Sequence, residues 1–510
     1  MKKLTAIVVI LALLLLGAYY GTGLITERTL KQNIEVVNQA KGIFVDIAQY
    51  KRGWFVSAAK LRVKITIPEQ IERDVQTKQM HTVPAENYTM QVPFEIYHGP
   101  IIYNKSGVMF GLGYAQTQLD LPDVVENKLS KFFKQESTLP ILNLGVFVNY
   151  ANKSHFKLKI PQFKLLAKEG ANQVDWLGFN GDFSVSNDRS VIEGDMTLEG
   201  MHFIKDKIAA TLGRLNNQFN LHKTKFGIYL GQADVSLPSL VVSDNDKRVF
   251  ELAQFKVSSD SQVHDGLVSS HLQVSLDKVV SMGKVYGPAN IKVSVNNLDA
   301  EVLAHINAQA DKLQQGSDSD KKQAMFAILP ELPKLVGRGA SFEISSLNLT
   351  MPEGKLAAGL KLSLSEGSVS NVFGLMKKIQ GEGQIQMPSI LVKQMLEESF
   401  KVKLMQQSAL QRAMVTQMQN NAASANSQTE QPVTSKPINS DVSSSAPVDN
   451  VMTDQAVAAK AVEEAKNKLS GLVSQKLLVE KGSDYLIEFK FNQGQLMING
   501  QPFNPAMLTL

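Results

Sequence analysis

The stretch KLRVKITI, residues 60–67, decides the fold class of this chain. Its apolar side chains alternate with charged or polar ones, which is the period of a β-strand with one dry face and one wet face. The same alternation returns at residues 155–160 and 271–276. Such strands belong to antiparallel sheets, because the strands of parallel sheets are buried on both faces. We therefore predict an α+β protein, mainly antiparallel β-sheet with several peripheral helices, and no dinucleotide-binding fold.

Helices are expected beside this sheet, where the apolar residues follow a helical period. The predicted spans are residues 26–41, 121–135, 205–216, 300–314, 321–335, 388 to beyond 405, and 454 to about 478. Pro330 and Pro333 interrupt the fifth of them. A closing hairpin follows, with apolar alternation over residues 485–491 and a turn at residues 492–495.

The N-terminus predicts a membrane anchor. Lys2 and Lys3 precede an apolar run from Leu4 to Ile25, and about 20 apolar residues cross a bilayer core of roughly 30 Å. A cleaved signal peptide has a shorter apolar stretch and a small-residue exit. We favour an uncleaved, single-pass anchor in a bacterial inner membrane, with the bulk of the chain in the periplasm. Cleavage is the alternative.

The composition along the whole chain predicts four regions. Residues 1–25 are the transmembrane anchor or uncleaved signal, and residues 26–416 form a periplasmic α+β region of one or two subdomains. Residues 417–452 are rich in Gln, Asn, Ser and Pro. Such a composition buries too little apolar surface to offset the entropy of ordering, so we predict a disordered insertion. Residues 453–510 then supply a helix and a β-hairpin that pack back on the main sheet.

The amino-acid composition excludes several kinds of functional site. The 510 residues include no cysteine, which excludes disulfides, thiolate nucleophiles, iron–sulfur clusters and cysteine-based zinc sites. The net charge is +5, from 53 basic and 48 acidic residues, and this near balance gives no argument for nucleic acid. The nucleophile-elbow, zinc-helix, phosphate-loop and EF-hand motifs are absent. Ser-x-x-Lys recurs in unrelated contexts, which marks it as chance, and the eight histidines lack metal-ligand spacing. We expect no catalytic, metal or cofactor-binding residues, and the sequence favours a protein without enzymatic activity.

Two short motifs stand apart from the strand pattern. Each combines turn-forming residues with an aromatic or charged side chain at the end of a predicted strand. They consist of Arg52, Gly53, Trp54, Phe55, His98, Gly99 and Pro100. The simplest interpretation is a structural role in turns. The alternative is contact with a partner, in which the donor fork of Arg52 pairs with a carboxylate or a lipid phosphate.

These motifs also carry a resemblance. With the N-terminal anchor, the Asn297-Leu298-Asp299-Ala300 helix start and the terminal hairpin, the chain resembles the YdgA/YihF family of bacterial envelope proteins. The resemblance implies an inner-membrane-anchored, mostly periplasmic protein of Gram-negative bacteria with no established biochemical role. It implies no catalytic residues.

Three functions are compatible with these observations. The main hypothesis is a non-enzymatic envelope protein that binds a protein partner in cell-envelope or secreted-protein maintenance. A second is a carrier of lipid or another hydrophobic ligand, and a third, less favoured, is a hydrolase of envelope polymers. A carrier requires an apolar groove, a scaffold an exposed apolar or strand-edge patch, and an enzyme convergent titratable groups. The membrane is an expected partner through the N-terminal helix, and self-association into a homo-oligomer is a further expectation.

Overall fold

A computed structural model describes most of the chain. The described residues are 17–31, 34–35, 38, 42–67, 70–73, 80–104, 107–315, 318–367, 374, 377–426 and 453–504. The chain divides into two compact units, Met1–Leu335 and Val336–Leu510. The predicted α+β region of residues 26–416 spans this division.

The helices are α1 (residues 17–31), α2 (Asp123–Phe132), α3 (Ala300–Gln315), α4 (Asp318–Ile328), α5 (Leu332–Val336), α6 (Ser389–Asn426) and α7 (Asp454–Ser474). The strands of the first unit are β1 (Ile43–Lys51), β2 (Val56–Ile67), β3 (Gln70–Arg73), β4 (Met80–Val83), β5 (Glu86–His98), β6 (Ile101–Asn104), β7 (Gly107–Phe110), β8 (Gly113–Leu119), β9 (Leu142–Val148), β10 (Ser154–Ile160), β11 (Phe163–Leu166), β12 (Gln173–Trp176), β13 (Phe179–Val185), β14 (Val191–Leu198), β15 (Met201–Lys205), β16 (Ile208–Leu212), β17 (Leu215–Lys223), β18 (Tyr229–Asp244), β19 (Lys247–His264), β20 (Leu267–Leu276), β21 (Lys278–Ser281), β22 (Lys284–Tyr286) and β23 (Ala289–Asp299). The strands of the second unit are β24 (Ser341–Met351), β25 (Gly354–Leu364), β26 (Ile379–Pro388), β27 (Val479–Lys481), β28 (Asp484–Asn492), β29 (Gln495–Ile498) and β30 (Gln501–Pro502).

The first unit is built on one antiparallel series of strands. Its order is β1, β2, β5, β8, β9, β10, β13, β14, β17, β18, β19, β20 and β23. Each inner strand of the series therefore pairs with one that precedes it and one that follows it along the chain. The predicted antiparallel sheet with several helices is confirmed.

The register of this series keeps the apolar residues on one face. Phe156 of β10 lies opposite Val146 of β9 and Phe183 of β13, and the two phenylalanine rings stack with centroids 4.8 Å apart. Lys157, the next residue, lies opposite Asp182 on the other face. Since side chains alternate along every strand, the alternation seen in the sequence becomes one dry face across the series.

A second series of paired strands runs beside the first. It arises because several long strands are each interrupted by a short break and continue beyond it as a separate strand. β10 and β11, β12 and β13, β14 and β15, and β16 and β17 are such interrupted pairs. Residues at the breaks include Pro161, Gly178, Gly200 and Gly213. The backbone pairing continues through the breaks, since Leu177 N donates to the Gly200 carbonyl at 3.1 Å. Proline and glycine thus mark a line across the sheet where each strand bends.

The predicted helix at residues 205–216 is wrong, because this stretch forms the end of β15, all of β16 and the start of β17. β16 pairs with β15 and β18, and β17 pairs with β14 and β18. Ala209 and Ala210 favour a helix intrinsically, by only a fraction of a kcal/mol each. Hydrogen bonding to strands on both sides and burial of the apolar face outweigh that preference.

Of the helix predicted at residues 26–41, residues 26–31 and 34–35 are helical, residue 38 is a turn, and the remaining residues lie outside the described ones. The other predicted helices are present with shifted ends. α4 and α5 are separated near Pro330, as the prolines predict, and α7 begins at Asp454 with Thr453 as its cap. The described part of α1 starts at residue 17, inside the predicted anchor. Residues 1–16, which hold most of the anchor, lie outside the described residues. In the part of the chain that the structure describes, no helix is both long and apolar enough to cross a membrane.

The second unit has its own sheet and helix pair. β24, β25, β26 and β28 pair in that order, so the C-terminal hairpin β28–β29 extends strands formed about 100 residues earlier. α6 packs on α7 through Leu404, Val457 and Ala461. α6 continues to Asn426, ten residues into the predicted insertion, and residues 427–452 lie outside the described residues.

Candidate functional site

One face of α1 lies against the first strands of the sheet. Tyr19, Gly23, Glu27 and Leu30 recur every three or four residues, so they share a single face of the helix. Tyr19 packs edge-on against Phe55, with ring centroids 4.7 Å apart, and its hydroxyl donates to the Ile101 carbonyl. The two sequence motifs thus meet the N-terminal helix.

The turn between β1 and β2 contacts α1 through an ion pair. Arg52 pairs with the Glu27 carboxylate, and Lys31 lies 3.0 Å from the same carboxylate. These hydrogen bonds, Arg52 first and Lys31 second, lower the pKa of Glu27. At Gly53 a Cβ would lie 2.1 Å from the Val56 carbonyl, so the tight turn that presents Arg52 accepts only glycine.

A buried hydrogen bond joins the two motifs beneath α1. Ser57 Oγ and His98 Nε2 are 2.9 Å apart, and each residue is only 1% exposed. Gly23 of α1 sits on the His98 ring, where a Cβ would approach Cε1 to 2.9 Å. Because α1 covers Ser57 and His98, the Ser57 hydroxyl is not open to a substrate as a nucleophile. The hydrogen bond between the two residues therefore serves as a structural contact.

Gly99 and Pro100 complete this contact. Gly99 has a φ of +132°, a conformation that favours glycine, and a Cβ there would lie 1.9 Å from Cε1 of Tyr19. Tyr150 donates its hydroxyl to the Pro100 carbonyl. Every residue of the two motifs is therefore at or near the contact between α1 and the sheet.

We predict that acid pH loosens α1 through His98. Burial lowers the pKa of His98 from its usual value near 6.5, and the positive Arg52 acts in the same direction, while the Tyr19 carbonyl opposes them. The packed state therefore holds His98 neutral. When α1 detaches, His98 regains its usual pKa and takes up a proton below about pH 6.5. The contact between α1 and the sheet therefore has its full stability above about pH 6.5. It loses stability as the pH falls from there towards the lowered pKa of His98.

Hydrogen-exchange protection factors of the α1 amides measure this effect. Between pH 7.5 and 5 we expect the protection of the native chain to fall, and that of a His98→Gln variant to stay level. The hydrogen bond with Arg52 lowers the pKa of Glu27 from its ordinary value, so Glu27 of the packed helix keeps its charge across this range. An equal fall in both chains would assign the pH effect to other groups.

A large apolar cavity lies beside the C-terminal end of α1, where Leu30 lines it. Its volume is about 560 Å³, within the range of about 300–1,000 Å³ typical of small-molecule sites. Among the described residues that line it, Asp120 is the only one with a charged side chain. The walls are formed by Leu30, Ile34, Val45, Leu61, Val63, Ile65, Met90, Val92, Phe94, Ile96, Ala115, Leu119, Asp120, Leu121, Pro122, Pro140, Ile141, Leu142, Leu144, Val146, Phe156 and Ile160.

The cavity is an opening in the core of the first unit. Val45, Leu61 and Val92 form a buried cluster, and the same three residues line the cavity. They lie on β1, β2 and β5, whose apolar faces are turned towards α1. Apolar cavities exclude water and take up apolar ligands. Chemically, this site is suited to hold hydrocarbon and offers little to orient a polar molecule.

The sequence indicated only part of this site. It singled out the seven motif residues, and the structure brings them to one contact. It did not indicate Tyr19, Gly23 and Glu27 as their partners, although the helical spacing of these three residues was a usable signal. The cavity-lining residues were also missed as a site, since they follow the pattern of any sheet core.

The fold and the cavity together define a class of protein: a serial antiparallel sheet with an apolar cavity beside the N-terminal helix. The chain belongs to a family described as bacterial protein of unknown function (DUF945), whose model matches residues 1–506. No curated protein and no solved structure matches the chain.

Proposed function

We propose that this protein binds a lipid-like ligand and holds its hydrocarbon chain in the cavity beside α1. The observation that carries the proposal is the nearly uncharged wall of a cavity of about 560 Å³. Burial of apolar area contributes roughly 25 cal/mol per Å², so a hydrocarbon chain that covers these walls gains affinity without any polar contact. The carrier hypothesis therefore fits the site better than the hydrolase hypothesis does.

The proposal includes a location. The apolar run of residues 4–25 and the YdgA/YihF resemblance both support an inner-membrane anchor with the bulk of the chain in the periplasm. An anchored carrier has a source of ligand within reach, since the lipids of the bilayer surround its anchor. Binding of a protein partner in envelope or secreted-protein maintenance stays a prediction.

Photo-crosslinking tests the proposal on the full chain. Bacterial cells that produce the protein are grown with a fatty acid that carries a diazirine, and are irradiated before purification. Mass spectrometry of the peptides then locates the label. We expect label on β5 and β9, which line the cavity, and little on β25 of the second unit. Label restricted to residues 1–25, or equal label on β9 and β25, would overturn the proposal.

A further inference from the structure

The hairpin β6–β7 exposes apolar side chains on its outer face. Ile102 and Asn104 are buried, at 1% and 7% exposure, whereas the alternate residues are exposed. Tyr103 is 77% exposed and lies opposite Val108, which is 54% exposed. On an ordinary surface hairpin the outward positions are polar, whereas this hairpin is apolar on both faces, since Met109 lies opposite Ile102 on the inner one.

Further exposed aromatic residues lie around the start of α1. Tyr20 and Trp54 have ring centroids 6.0 Å apart. The Tyr19 ring lies between Phe55 and the β6 backbone, so the β1–β2 turn and the β6–β7 hairpin flank the same end of the helix. We define the interfacial patch as Tyr20, Trp54, Phe55, Tyr103, Val108 and Phe110, each about half exposed or more.

The length of the N-terminal apolar run indicates which partner the interfacial patch contacts. Tyr19 and Gly23 pack on the sheet, so the part of the apolar run that precedes these contacts extends from Leu4 to Ala18. As a helix these 15 residues would measure about 22 Å, which is about 8 Å less than a hydrocarbon core of roughly 30 Å. Spanning then requires that the first turns of α1 also enter the membrane surface, together with the residues around them.

We propose that the interfacial patch inserts into the surface of the phospholipid bilayer and seats the first unit directly on the membrane. Amphipathic segments enter the boundary between headgroups and acyl chains by about 5–10 Å, which matches the missing length. Tyrosine and tryptophan are the side chains enriched at that depth. On α1 the exposed apolar residues Leu24 and Ile25 are followed by Glu27 and Arg28, so the charges begin where the membrane surface is expected to end.

Spin labels test this proposal without altering other residues, because the chain contains no cysteine. Tyr103→Cys places one label in the interfacial patch. Phe326→Cys is the matched control, since Phe326 is an aromatic residue of the same unit that is 73% exposed on α4. Both full-length variants are reconstituted in vesicles of phosphatidylethanolamine and phosphatidylglycerol. Collision of each label with oxygen, which concentrates in lipid, is compared with collision with a water-soluble nickel chelate.

We expect the oxygen-to-nickel ratio at position 103 to be several-fold higher than at position 326. Equal ratios, or a chain that does not float with the vesicles, would overturn the proposal. Spin–spin broadening at position 103 that vanishes on dilution with unlabelled chain would also overturn it, since the patch would then contact a second copy.

Trp54 gives an independent measurement that needs no mutation in the interfacial patch. Trp54 and Trp176 are the only tryptophans of the sequence, and Trp176→Phe keeps a ring beside Phe163, on which Trp176 stacks at 5.7 Å. In vesicles of brominated phospholipid we expect most of the Trp54 fluorescence to be quenched. Unchanged fluorescence would contradict insertion.

Discussion

Gly99→Ala is expected to release α1 from the sheet. The Cβ of alanine would lie 1.9 Å from Cε1 of the Tyr19 ring, a distance that no pair of non-bonded carbon atoms tolerates. The backbone φ of +132° adds strain of about 1–3 kcal/mol for any residue other than glycine. Either Tyr19 or the hairpin must move, and Tyr19 is the residue that starts the contact face of α1.

Gly107→Ala is the matched control for this variant. Gly107 has a similar φ of +118°, but a Cβ at that position would have no neighbour within 4 Å among the described residues. Both variants therefore carry backbone strain, and only Gly99→Ala carries the clash. Overpacking of this kind costs about 1–3 kcal/mol, which corresponds to about 5- to 150-fold faster opening.

Hydrogen exchange at the α1 amides measures that difference. A single free energy of unfolding does not describe a chain of two units, whereas exchange reports the opening of one helix. We expect the amides of residues 17–31 to exchange about 5- to 150-fold faster in Gly99→Ala than in Gly107→Ala, by the conversion above. Equal rates in the two variants would show that the Tyr19 contact does not hold the helix.

Ala115→Phe is expected to remove most of the fatty-acid label from the cavity. Ala115 lies on β8 and lines the cavity, so the larger ring occupies space that the ligand would use. A ring placed in an open cavity causes little of the strain that overpacking causes in a filled core. The fold is therefore expected to tolerate the change, and ligand binding is the property that falls.

Gln118→Phe is the control for Ala115→Phe. Gln118 lies three residues further along the same strand and is exposed, so its ring points away from the cavity. The label on β5 and β9 is expected to fall several-fold in Ala115→Phe and to remain in Gln118→Phe, while any label on residues 1–25 stays equal. Equal cavity label in both variants would show that the ligand does not occupy the space beside Ala115.

The hydrophobic pattern of the sequence predicted the secondary structure correctly where burial and hydrogen bonding in the fold favour the same structure. β2 and β10 were predicted from alternation alone, because a sheet with one wet face leaves that period in the sequence. The stretch 205–216 failed for the opposite reason. Its alanines and polar residues fit a helix locally, and only the neighbouring strands β15 and β18 made it a strand pair.

The site was predicted as separate fragments. The turn chemistry around Gly53 and Gly99 is local, so the sequence indicated both motifs as unusual. Their meeting is not local: Ser57 and His98 are 41 positions apart, and the register between β2 and β5 brings them together. A single sequence gives no measure of that register.

The sequence alone determined the antiparallel class, the helix starts at residues 300 and 454, the absence of cysteine chemistry and the apolar N-terminal run. These follow from local periodicity, capping and composition, which act within a few residues. The tertiary structure decided that α1 lies on the sheet, that Arg52 pairs with Glu27 and that a cavity opens behind Leu61 and Val92. A cavity is a volume left between side chains, and the same apolar residues would fill it in a tighter arrangement of the strands, so only their positions in space distinguish a binding site from a packed core.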